Sequence, residues 1–197
     1  MKNEFWQDLL NSDWHDYRGS GNREDRLEDP VWRDRFLAAW RDDVAGVPPE
    51  DLVAGLRRLR ETIRRLVDAY TAGRSVGRAE WTELNGVLDG SPCVRRMDES
   101  RGRPRLRLIP LRRGLPAVLA AIAASFAETV STGDPDRIKT CRNPDCRWTF
   151  YDRSKNRSRK WCDNDCGNLI KVRRFRQKQK PAEGKRATGR SESAPEE

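Results

Sequence analysis

Histidine is almost missing from this sequence: His15 is the one copy among 197 residues. A metal site built from several histidines is thereby excluded, and no Ser-His-Asp set is read around the single copy. With no carboxylate or thiol motif around it, His15 reads as a surface or packing residue. No Gly-rich phosphate loop is present, and no paired carboxylates stand at a spacing that would support acid-base work. Acidic residues are frequent over residues 1–51, 13 against 7 basic, but they are scattered. The chain is therefore not expected to be an enzyme. Apolar residues are sparse as well, at 36%, which limits the core to one modest domain plus a small module. The opening MKNEFWQDLLNSDWHD is charged and lacks the apolar centre of a signal peptide. No membrane segment is read, and the expected compartment is the cytoplasm.

Cysteine is scarce too, but four of its five copies fall between Cys141 and Cys166 as two short pairs. Four residues separate Cys141 from Cys146, three separate Cys162 from Cys166, and fifteen lie between the pairs. Two close thiol pairs joined by such a loop suit one tetrahedral zinc ion. The alternative is disulfides, which a reducing compartment disfavours and which would leave Cys93 over. Cys93 itself reads as a small buried residue. Four thiolates leave no open coordination position, so the expected zinc is structural. Asn143-Pro144 supplies a tight turn inside the first pair. Trp148, Phe150 and Tyr151 follow in an extended stretch and, with Trp161, read as a mini-core before base-stacking groups.

Charge is unevenly spread. Residues 1–132 carry 22 Lys+Arg against 21 Asp+Glu, and residues 133–197 carry 18 against 10. Between Arg137 and Lys180 the count is 15 basic to 4 acidic. Zinc with four thiolates lowers that excess without reversing it. The excess sits in a loop (Arg153, Lys155, Arg157, Arg159, Lys160) and in a helix of about three turns opening at Cys166 (Lys171, Arg173, Arg174, Arg176, Lys178). On this helix Leu169, Val172 and Phe175 are available to pack on the finger. Such a concentration is the electrostatic footprint of phosphate binding. Asn156 and Asn168 are the uncharged candidates for base contacts, or equally for turn caps.

The rest of the chain reads as mostly helical α+β. Phe5, Trp6, Leu9 and Leu10 stand at helical spacing within residues 3–17, before a polar loop over residues 18–29. Asp29-Pro30 caps a helix whose Trp32, Phe36, Trp40 and Val44 recur every fourth residue, a core stripe by default and a ligand pocket as the sharper alternative. Leu52, Leu56, Leu59, Ile63, Leu66 and Tyr70 form the seam of the clearest helix. Arg57, Arg58, Arg60, Arg64 and Arg65 read as its solvated faces, with a second nucleic-acid surface as the alternative. A short helix spans residues 79–88. Cys93–Met97 and Arg103–Leu111 read as a hairpin with a half-buried alternating strand. PAVLAAIAASFAETV, from Pro116, has one charge and is the expected buried helix. The expected domains are residues 1–132, a finger over 133–180, and a disordered tail over 181–197.

The run CRNPDCRWTFYDRSKNRSRKWCDNDCGN with its basic extension resembles the CGNR zinc finger of bacterial proteins described as transcriptional regulators. Matching features are both cysteine pairs, Trp148, Phe150, Asp152, the Ser154-Lys155-Asn156 turn, Arg157, Arg159 and Trp161. Cys166-Gly167-Asn168 gives three of the four naming letters, with Leu169 in place of the arginine. In that family the finger follows an α/β domain called ABATE. Leu9-Leu10-Asn11-Ser12 is similar to its apolar-Asn-Thr start, and LRRLRETIRRL with LNGVL is similar to its middle. Knuckle, loop and helix in this order resemble a treble-clef finger. The basic loop and helix make double-stranded DNA the expected partner, and the resemblance implies a transcriptional regulator whose first domain senses a small-molecule effector or forms a homo-oligomer. The competing expectation is an RNA-binding or protein-interaction module on the same zinc scaffold.

Overall fold

The computed structural model of the chain describes residues 4–100 and 102–179. The expected tail, residues 181–197, lies outside the described residues. The apolar seam read over residues 51–71 becomes the central helix, which we label α3 (Pro49–Thr71). It starts on Pro49, with Glu50 and Asp51 in the first turn complementing the helix dipole. Leu56, Ile63 and Leu66 are fully buried. The helix packs against α1 (Phe5–Leu10), α4 (Arg78–Leu88) and α5 (Leu115–Thr132). Gly55 lets α3 and α5 approach closely, since a Cβ there would stand 3.3 Å from methyls of Leu115 and Leu119. By length and composition α5 could cross a membrane. In this fold its Val118, Ile122 and Phe126 are fully buried, and it packs on α1, α3 and α4 as a core helix does. Trp6 meets Phe126 edge-on at 5.4 Å.

The N-terminal reading changes after Leu10. Helix α1 stops there, the Ser12 hydroxyl donates to the Leu9 carbonyl at 2.7 Å, and β1 (Asp13–His15) pairs antiparallel with β2 (Arg23–Asp25). The stretch over residues 18–29 thus contains a strand as well as a loop. Its anchor is remote in sequence: Asp25 receives Arg60 at 2.7 Å and Arg57 at 2.9 Å. Helix α2 (Pro30–Phe36) has the expected cap, Asp29 accepting from the Val31 amide at 2.9 Å. It ends at Phe36, before a 3-10 turn over Ala38–Trp40, so the aromatic stripe spans two short elements. Trp32, Phe36, Trp40 and Val44 still pack on the core.

Three further expectations give way. Arg60 and Arg64 do not belong to a solvated face: Arg64 donates to the Thr149 hydroxyl at 2.8 Å and to the Leu10 carbonyl at 3.0 Å. Arg58 and Arg65 are exposed as read. The hairpin of β3 (Cys93–Ser100) and β4 (Arg103–Pro110) forms in antiparallel register, but it is not half-buried. Met97, Leu106 and Leu108 share one face and remain exposed by 61–64%. Alternation sorts residues onto two faces and says nothing about whether another element covers either. Cys93 opens this hairpin and is exposed rather than buried.

The C-terminal segment is joined to this core through its first turn and hairpin. A 3-10 turn (Pro135–Arg137) leads into β5 (Ile138–Thr140), which pairs antiparallel with β6 (Thr149–Tyr151), and α6 covers Asn164–Gln179. Ile138 belongs to the main core. The Asn11 amide donates to the Thr149 carbonyl at 2.9 Å, and its oxygen accepts the Thr149 N–H at 2.8 Å. The Tyr151 N–H adds a bond to Gln7 at 3.1 Å.

Candidate metal centre and nucleic-acid interface

The β5–β6 hairpin turns through a knuckle that carries Cys141 and Cys146. The Cys141 N–H donates to the Trp148 carbonyl at 2.8 Å, and the Cys146 N–H to the Asn143 carbonyl at 3.1 Å. Helix α6 starts two residues earlier than read, placing Cys166 inside its first turn and Cys162 just before it. All four sulfurs lie within 4.8 Å of one another, with Cys146–Cys162 and Cys162–Cys166 at 3.6 Å. A tetrahedron with Zn–S bonds of about 2.3 Å has edges of about 3.8 Å, so the donors fit one zinc ion. The sulfurs of Cys141 and Cys146, followed by burial, push the Cys162 thiol up. A divalent cation relieves that crowding of like charge.

Around the sulfurs, the Asn143 amide donates to the Cys166 sulfur at 3.6 Å and to the Tyr17 carbonyl at 2.8 Å. Tyr17, Trp148 and Trp161 pack against the cysteine cluster, the structural role read for the two tryptophans. Tyr17 comes from the β1–β2 loop, far away in sequence. Gly19 in the same loop has φ +86, and a Cβ on it would stand 2.7 Å from Arg173 and 2.8 Å from Asp145. The backbone angle favours glycine there, and a Cβ would displace the ends of the Arg173 and Asp145 side chains.

Asp152, among the family-like residues, organises the basic loop. Its fully buried carboxylate accepts from Lys139 at 2.6 Å and from the Ser154 and Arg159 amides at 2.9 Å. Burial pushes its pKa up, but Lys139 and Ser154 outweigh it and hold the group well below the usual carboxylate range. The expected phosphate-binding arginines then divide. Arg153 pairs with Glu4 at 2.6 Å. Arg157, at φ +52, pairs with Asp134 at 2.5 Å. Arg159 donates to the carbonyls of Trp161 and Cys162 and lies 5.1 Å from the Phe150 ring centre. Arg173 binds Asp145 at 2.6 Å and the Arg18 carbonyl. These four thus have partners within the protein. Lys155, Lys160, Lys171, Arg174, Arg176 and Lys178 are exposed, and among the described residues none has an ion-pair partner.

A cleft of about 560 Å³ between the end of α3 and the loop gathers Arg157, Arg159 and Lys160 with Lys139 and Arg142. Arg142 was not singled out from the sequence, and its position within the knuckle beside Cys141 was the available signal. The α6 cations lie along the helix instead, and Lys155 and Asn156 occupy the exposed turn at the loop tip. On α6 the apolar expectation also shifts: Ile170 is the buried contact, whereas Val172 and Phe175 are 45% and 62% exposed. With Asn168 they form an outward strip at helical spacing, flanked by Lys171, Arg174 and Lys178.

Residues 137–179 match the CGNR zinc finger. Residues 3–133 match ABATE, described as "Putative stress-induced transcription regulator". No curated protein matches the chain. With its sulfurs set for one zinc ion and more than half of its length covered by the second match, the chain belongs to the ABATE family and carries a CGNR zinc finger.

Proposed function

We propose that the chain is a zinc-dependent DNA-binding transcription regulator whose finger engages the duplex through α6. The observation that carries this reading is the outward face of α6, where cations with no ion-pair partner among the described residues border Asn168, Val172 and Phe175. Cations at such positions bind phosphates and set register. An asparagine can pair with an adenine edge, and apolar side chains suit a thymine methyl group in the major groove. The ion-paired arginines have their partners within the fold.

The experiment is a duplex-binding titration of the zinc-loaded chain with unlabelled structured RNA as competitor, repeated with Lys171→Gln plus Arg174→Gln. Duplex DNA should compete better than RNA, and the double variant should flatten the salt dependence by about two phosphate contacts. RNA competing better than DNA would assign the finger to RNA.

A further inference from the structure

The aromatic face of α2 and Trp148 of the finger enclose a pocket of about 350 Å³ that the metal centre does not use. Trp32 and Phe36 stack on each other at 5.1 Å with an interplanar angle of 16°, and this aromatic pair lines one side of the pocket. Phe5 and Trp148 line the remaining apolar surface. Flat aromatic walls select a planar ring system, and the volume suits one or two fused rings. Arg26 and Arg35 also line the space. Nearby arginines are neutralised within the fold: Arg23 by Asp13, and Arg57 and Arg60 by Asp25. Among the described residues, neither Arg26 nor Arg35 has an ion-pair partner. The third ionisable group of the lining is Asp8, so the two guanidiniums outnumber the one carboxylate.

We propose that this pocket binds a small planar aromatic carboxylate, its ring against Trp32 and Phe36 and its charge on Arg26 and Arg35. Arg26 already lies 5.5 Å from the Trp14 ring centre, but a neutral ring would give neither guanidinium a counter-ion, and a ringless anion would leave the aromatic lining uncovered. The pocket also touches the finger's support. Asn11 lines it while holding both backbone groups of Thr149, and the carbonyl of Trp148 receives the Cys141 amide. A ligand here therefore stabilises the arrangement that carries the first thiol pair. This inference is independent of the DNA reading, because its test contains no nucleic acid.

The test is calorimetric titration of the zinc-loaded full chain with indole-3-carboxylate, using indole as the neutral ring and acetate as the ringless anion. Indole-3-carboxylate should bind at one site at least about tenfold more tightly than either control. Arg35→Gln alters an exposed side chain and should leave the circular dichroism spectrum unchanged. It should weaken indole-3-carboxylate by about tenfold while leaving indole unaffected. Absence of saturable carboxylate binding, or equal affinity in Arg35→Gln, would overturn the proposal. Saturating ligand should also slow zinc transfer to a chelator by about threefold, and an unchanged rate would refute the link to the finger.

Discussion

Arg173 and Arg174 are neighbours of the same type with different tasks. Arg173 ties α6 to Asp145 and to the Arg18 carbonyl, whereas Arg174 is exposed and unpaired among the described residues. Arg173→Ala should lower finger stability by about 1 kcal/mol, read from chemical denaturation, because it removes a partly solvent-screened pair with Asp145 and the bond to the Arg18 carbonyl. Arg174→Ala should leave stability unchanged and reduce the slope of log affinity against log salt by about 0.9. Equal stability losses in both variants would reject this division. Asp25 makes a second test at this scale. Burial raises its pKa, but Arg60 and Arg57 outweigh burial and bring it to about 2. A lowered folded-state pKa gives stability that is complete above the ordinary aspartate value and lost as pH falls towards the folded one. Asp25→Asn should therefore be less stable than the parent by about 2 kcal/mol at neutral pH, with the gap closing between about pH 4 and pH 2. A gap that stayed constant over that range would contradict the linkage.

At the scale of elements, local periodicity revealed what α3 and α5 bury, but not what their polar faces meet or which side of α6 packs. The α3 seam and the apolar α5 were legible because their burial repeats along the chain. Strand β2 was not, since it has three residues and is pinned by Asp25 to arginines 32 and 35 positions away. The exposed face of β3–β4 shows the same limit from the other side. The cysteine quartet was legible because its ligands are local pairs, whereas Tyr17 and Gly19 reach the finger only through tertiary folding. These tertiary ties predict a graded response to metal loss. The β5–β6 hairpin is held by Asn11, Arg64 and the burial of Ile138, independently of the sulfurs. Chelation should speed hydrogen exchange in α6 and over residues 153–163 while β5–β6 amides stay protected. Loss of protection in β5–β6 together with α6 would show that zinc holds the hairpin too. Asn11→Ala should expose β6 without removing a metal ligand and cost about 2–3 kcal/mol, measured by denaturation. An unchanged midpoint would remove Asn11 from the junction.

The whole molecule joins an ABATE domain to a zinc-supported cationic helix through buried side-chain bonds and a shared core. Its charge pattern follows that division of labour, with the first 132 residues nearly balanced and the excess of Lys and Arg towards the C-terminus. The central claim is that zinc makes the α6 surface competent to bind phosphate. Metal content should be measured together with duplex-DNA affinity across a salt series, before chelation, after it and after zinc is restored. The account predicts one zinc per chain, log affinity falling linearly with log salt, and binding that is lost on chelation and recovered with zinc. Duplex binding that persisted unchanged without zinc, or a zinc-loaded chain that bound no duplex at low salt, would contradict it.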